Sequence, residues 1–139
     1  MLCKCLVVKN PWALMLVDGI KDIENRTWNT SYRGPLLIKS SKVPVSEDET
    51  KDILTDLYHR GLMTKDQVRR YYQSIFSLNG RLLGQVTLDK VVTNSSSDWA
   101  EKGVYHFVVS SPKKFREPIE GLSSGFKIFN VEVDESILL

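Results

Sequence analysis

The stretch Asn10-Pro11-Trp12-Ala13, then Gly19-Ile20-Lys21-Asp22-Ile23-Glu24-Asn25-Arg26-Thr27-Trp28, then Tyr32-Arg33-Gly34, reads as a short helix, a glycine stop and a strand. Asn10 is a good N-cap and Pro11 a good first helical residue. Trp12, Met15 and Leu16 follow at helical spacing, and Gly19 closes the helix. A period of two along the strand sends Asp22, Glu24, Arg26 and Trp28 to one face and Ile23 and Asn25 to the other. A face carrying carboxylate, guanidinium and indole gains little from plain core packing and reads as a wall for a flat, polar ligand. The bland alternative is an exposed Glu24–Arg26 pair worth less than about 1 kcal/mol beside a half-buried Trp28.

Working outward, Leu2, Cys3, Leu6 and Val8 fit a first strand, and Gly34–Lys39 fits another, with Leu36 and Ile38 on one face. Val43–Gly61 reads as a helix opened by Pro44 and a capping box from Ser46 to Glu49, with Ile53, Leu54, Leu57 and Tyr58 as its apolar stripe. A second box, Thr64 to Gln67, starts a helix whose stripe is Val68, Tyr71, Tyr72, Ile75 and Phe76. Together they make a hairpin that covers a sheet. Asn79-Gly80 turns into a long strand, Arg81–Val92, where Gly84 signals a bulge or a close backbone approach. Asn94–Asp98 is a polar loop. Val104–Ser110 and Gly125–Val133 are further strands, joined by Pro112–Ser124.

Strands cluster at both ends of the chain without alternating helices, which argues against a doubly wound parallel sheet. The pattern predicts an α+β domain: a small, mostly antiparallel β-barrel of five to six strands with about three covering helices. A length of 139 residues fits one domain spanning 1–139.

A net charge of +2 removes any argument from bulk basicity, so a nucleic-acid surface must be local. No apolar run is long enough to span a membrane, and Met1–Val8 is too short for a signal peptide. Cys3 and Cys5 sit two apart on a strand, a poor geometry for a mutual disulfide. No histidine lies near them, so neither a metal nor a cofactor is expected, and reduced thiols point to a cytoplasmic protein. Matches to the glycosylation signal at Asn25, Asn29 and Asn94 then read as chance.

The ordered set Pro11-Trp12-Ala13, Gly19-Ile20-Lys21, Glu24, Arg26, Trp28, Arg33-Gly34, Leu37-Ile38 and Leu83-Gly84 with Val86 resembles the ASCH domain, which is related in fold to PUA domains. The likeness runs over roughly residues 2–133 and is nearest the cointegrator-type branch of that family. It implies a PUA-like barrel whose cleft accepts RNA, DNA or a nucleobase. On that footing RNA, a single-stranded nucleic acid or a nucleoside is the expected partner.

Each side chain has a chemical part in such a site. Lys21, just past the first helix, can reach a phosphate or a carbonyl. Arg26 can fork two hydrogen bonds to a phosphate or a base edge. Glu24 can orient Arg26 or accept from an exocyclic amine, and Trp12 and Trp28 can stack bases. Arg33 can meet a phosphate or an acidic neighbour. Lys39 and Ser40, with Ser41 and Lys42, can form a phosphate rest, and Lys113, Lys114 and Arg116 make a second basic cluster. His59 and His106 have no nucleophile at a recognisable spacing.

The wider family also includes amidohydrolases similar to deacylases of acylated cytidine, and members linked to RNA cleavage. In that pattern Lys21 matches the lysine, Glu24 stands where a threonine is expected, and Gln85 stands where the catalytic carboxylate is expected. Glutamine cannot act as a carboxylate base, so catalysis would fall to Lys21 and Glu24. A third reading makes the hairpin Glu47–Ser77 a surface for a protein partner.

Overall fold

The computed structural model describes residues 1–122 and 124–138. Its elements are β1 (Leu2–Val8), α1 (Trp12–Val17), β2 (Ile23–Arg26), β3 (Gly34–Ser40), α2 (Glu47–His59), α3 (Lys65–Ser74), β4 (Leu82–Val92), β5 (Tyr105–Ile119) and β6 (Ile128–Glu132), with 3₁₀ turns at Ile75–Leu78 and Glu135–Leu138. Six strands form one sheet in the order β2-β5-β4-β3-β1-β6. Neighbours are antiparallel except β1 and β3, which run parallel. The connection between those two carries α1 and β2, and β2 leaves the centre to pair at the far edge with β5. The result is an α+β, PUA-like half-barrel, a curled mixed sheet with three α-helices.

Curling brings the two edges together through side chains. Arg26 on β2 donates to the carbonyl of Val7 on β1 at 2.8 Å, and Lys127, just before β6, lies 5.5 Å from the ring centre of Trp28, just past β2. Central strands are buried on both faces. Leu6, Val8, Leu36 and Ile38 enter the main core with Ala13–Val17 of α1 and with Leu54, Leu57, Tyr71 and Ile75 of the hairpin. Cys5 and Leu37 enter a second cluster with Leu82, Phe115, Val131 and Val133 on the opposite face.

Local chemistry sets the element ends. The start of α1 differs from expectation: Pro11 stands at the N-cap and makes no side-chain cap bond, while Asn10, one residue earlier, accepts from Leu14 N at 3.1 Å. Gly19 follows the helix at φ +76°, a left-handed value that favours glycine. The Thr64–Gln67 capping box is complete. At Ser46 only half of the expected box forms: Ser46 accepts from Glu49 N at 3.2 Å, and no return bond from Glu49 joins it among the described residues. Gly84 shows both features its position signals, a register shift and a close approach. A Cβ there would lie 2.3 Å from Lys113 O and 2.9 Å from Val17.

Three further expectations are corrected. The charged strand is shorter than its pattern, ending at Arg26, so Trp28 lies beyond it. Tyr58 and Phe76 leave their helical stripes and are exposed. Pro112 does not end a strand, and β5 runs through it. Proline cannot donate to a ladder, so the strand bulges there. Ser111 takes φ +49°, and Ser110 and Lys113 face Thr87 and Gln85, so one residue is extra on β5.

Candidate functional site

A cleft of about 630 Å³ opens between the end of β1, α1, β2, the end of α2 and the loop 93–104. Its floor is a chain of charges. Lys21 Nζ lies 3.3 Å from Glu24 Oε1, and both side chains are almost fully buried at about 5% exposed. Arg26 Nη1 lies 3.5 Å from Glu24 Oε2. Glu24 therefore serves two cations with its two oxygens, and the triad carries one net positive charge. Arg26 is half-buried, and its Nε has no hydrogen-bond partner among the described residues.

The wall is aromatic. Trp12 sits 4.9 Å from Lys21 Nζ, a cation–π contact. It also meets Trp99 edge to face at 6.4 Å. Trp99 belongs to a loop fastened on three sides. Asn25 Nδ2 donates to Trp99 O at 2.9 Å while Asn25 Oδ1 accepts from Glu101 N at 3.0 Å. Ser97 Oγ donates to Asp22 at 2.6 Å, and Arg60 donates to Asp98 O at 3.1 Å. Buried His106 completes the anchoring: its Nδ1 accepts from Ser95 N at 3.2 Å and its Nε2–H donates to Glu101 O. The loop holds a preformed wall, so little ordering cost falls on a ligand.

Of the residues singled out in the sequence, Trp12, Lys21, Glu24, Arg26 and Ser41 line this cleft together. Trp28 stands next to it, edge-on to Phe107 at 5.2 Å and 5.6 Å from the Arg26 guanidinium carbon. The others lie elsewhere. Arg33 is exposed and spends its Nη1 on the carbonyls of Thr30 and Tyr32, at 2.8 and 2.7 Å. Lys39 and Ser40 form no phosphate rest, because both are buried and internally bonded. Lys39 Nζ donates to Leu122 O at 2.7 Å and Ser124 Oγ at 2.9 Å, while Ser40 Oγ bonds the carbonyls of Leu78 and Arg81. Gln85 pairs with Leu37 and Lys113 in the ladder, outside the cleft lining.

The cleft is also lined by Asn25, Trp99, Lys9, Arg60, Asp98 and Glu101, which the sequence pattern does not single out. Asn25 was assigned to the far face of its strand, but an edge strand has solvent on one side, and the loop folds over it. Trp99 carried a usable signal: a large aromatic following Ser95-Ser96-Ser97-Asp98 is out of place in a solvated loop.

A curled α+β half-barrel with a charged floor and aromatic wall between its first strand and its helices defines a PUA-like domain. The chain belongs to the ASCH domain family, whose profile matches residues 6–133. It is similar to activating signal cointegrator 1 of Homo sapiens, 43% identical over 49 residues. The mouse protein of that name is 41% identical over 49 residues. Each match covers 35% of this chain and 8% of the relative, so the chain corresponds to a small part of those proteins.

Proposed function

We propose that the cleft binds one unstacked nucleotide of a single-stranded nucleic acid, with RNA as the natural ligand. The observation that carries this reading is Lys21. Its ammonium is almost fully buried, yet it meets one carboxylate oxygen at 3.3 Å and an indole face. An ammonium has three donors, and buried donors are ordinarily satisfied. The unused ones face a cavity within the size range of small-ligand sites. A base carbonyl or a phosphate oxygen would satisfy them. Trp12 and Trp99 offer aromatic surface for the base, the usual partner of an unstacked nucleotide.

The lining has four cations, Lys9, Lys21, Arg26 and Arg60, against three carboxylates, Glu24, Asp98 and Glu101. That near balance favours recognition of a base with its sugar-phosphate over indiscriminate capture of a polyanion. It also favours binding over hydrolysis. Both Glu24 oxygens are committed to cations, Gln85 is outside the cleft, and the lining has no histidine or cysteine among the described residues.

The chain has three tryptophans, and two line the cleft while the third adjoins it. Intrinsic fluorescence is therefore a direct readout. Nucleoside monophosphates and short single-stranded RNA are expected to quench it saturably, with no product formed, and Lys21→Met should weaken both at least ~10-fold, the loss of one charge-assisted bond. Equal affinity in the variant would remove this assignment. Loss of an acyl group from acylated cytidine, or strand scission, dependent on Lys21, would replace it with hydrolysis.

A further inference from the structure

We infer that Phe126, Lys127 and Trp28 form a second nucleotide subsite, continuous with the cleft through Arg26, so that the protein grips consecutive nucleotides of a single strand. This rests on the cleft reading above. Phe126 is 82% exposed, the most exposed large apolar side chain among the described residues. Beside it, the Lys127 ammonium lies 5.2 Å from the Phe126 ring and 5.5 Å from the Trp28 ring. Trp28 in turn lies 5.6 Å from the Arg26 guanidinium carbon, and Arg26 reaches Glu24 in the cleft. From Trp12 the track runs through Lys21, Glu24 and Arg26 to Trp28, Lys127 and Phe126, so each aromatic is parted from the next by at least one cation.

This geometry is built and held. Lys127 adopts φ +56°, a left-handed conformation unfavourable for a residue with a Cβ and found where surroundings over-determine the backbone. One side of the tip is fixed by Lys39, whose buried ammonium bonds Leu122 O and Ser124 Oγ. The other side is fixed by Gly125, where any Cβ would come within 2.4 Å of the Phe129 ring. A buried lysine and a backbone packed on an aromatic ring position the turn, and the turn presents a phenyl ring to water. An aromatic face flanked by cations, leading from a base-sized cleft, matches the alternation of base and phosphate along a single strand.

The test uses the intact protein with two probes: nucleoside 5′-monophosphates, and a fluorescein-labelled single-stranded RNA about eight nucleotides long, within the site sizes of small single-strand binders. Phe126→Ala is expected to weaken the oligonucleotide roughly 5- to 100-fold and leave monophosphate affinity unchanged. Lys127→Gln should lower the slope of log affinity against log salt by about 0.7. Lys21→Met should weaken both probes. If Phe126→Ala and Lys127→Gln match wild type on the oligonucleotide while Lys21→Met does not, the second subsite is overturned and the cleft stands. If wild type binds neither probe, both readings fail. If Phe126→Ala instead releases a co-purifying protein with RNA affinity unchanged, the turn is a protein contact and the subsite is overturned.

Discussion

Arg26 and Val7 stand on strands four places apart in the sheet, and yet Arg26 Nη2 donates to Val7 O at 2.8 Å. The bond closes a curled sheet across its concave side, while Nη1 of the same guanidinium faces Glu24. One fork thus serves both the fold and the cleft. Arg26→Met is expected to cost about 1.5–3 kcal/mol, the range for a hydrogen bond to a charged group, in urea unfolding with an unchanged m-value, and to weaken nucleotide binding at the same time. Unaltered stability would show that the sheet holds its curl without this bond.

Glu24 sits at the centre of the charge chain and Lys21 at its end, so their removal has unequal effects. Glu24→Gln leaves Lys21 and Arg26 facing each other with no anion between them, and is expected to cost about 3–5 kcal/mol. Lys21→Met keeps the Glu24–Arg26 pair and should cost about 1 kcal/mol. Chemical denaturation of the two variants gives the ordering, and the reverse order would place the structural anion elsewhere.

Gly84→Ala introduces a Cβ 2.3 Å from a backbone carbonyl that belongs to the neighbouring strand and cannot rotate away. The expected cost is about 3 kcal/mol or more, read as a fall in Tm of roughly 10 °C. A melting temperature within a degree or two of wild type would mean that β4 and β5 separate freely at this point.

Burial pushes the Cys5 thiol from 9.0 up to about 12. Between those two pH values the folded chain keeps a proton that the unfolded chain releases, so stability falls as pH rises, by up to about 1.4 kcal/mol per unit. The Tyr71 hydroxyl, pushed upward by burial and by its bond to Asp18, adds the same sign at higher pH. Cys5→Ala should flatten the first part of that decline in denaturation curves recorded across alkaline pH. At pH 8 an alkylating reagent should modify Cys3 and spare Cys5. A stability flat from pH 9 to 12 would contradict the burial of this thiol.

Much of the fold is legible because local chemistry and burial agree. The Thr64–Gln67 box, the glycine after α1 and the two-residue period of β3 each state their conformation within a few residues. The floor of the cleft is legible for the same reason, since Lys21, Glu24 and Arg26 share one short segment. What hides from the sequence is whatever depends on distant partners. Lys39 reads as a surface cation, and only the distant Leu122 O and Ser124 Oγ, which accept from it, turn its ammonium inward. Asn25 gains its role from a loop some seventy positions later in the chain. Pro112 reads as punctuation because the bulge that admits it is a property of pairing with β4.

The pairing of β1 has a kinetic consequence. Its neighbours are β3 and β6, and Cys3 on the first strand lies opposite Val131 on the last. The β4–β5 pair closes a short connection, whereas β1 meets β6 only after nearly the whole chain has been gathered. Val7 and Val8 pair with Lys39 and Ser40 of β3, so their half of the cleft forms with that strand, and the pairing of Leu2–Leu6 with β6 closes last. Native-state hydrogen exchange is expected to release the edge strand β6 before β4 and β5. A bound nucleotide that touches both Val7 on β1 and Glu24 on β2 would instead tie the other edge strand, β2, to the middle of the sheet and raise its protection, acting as a latch on that edge while β6 still opens.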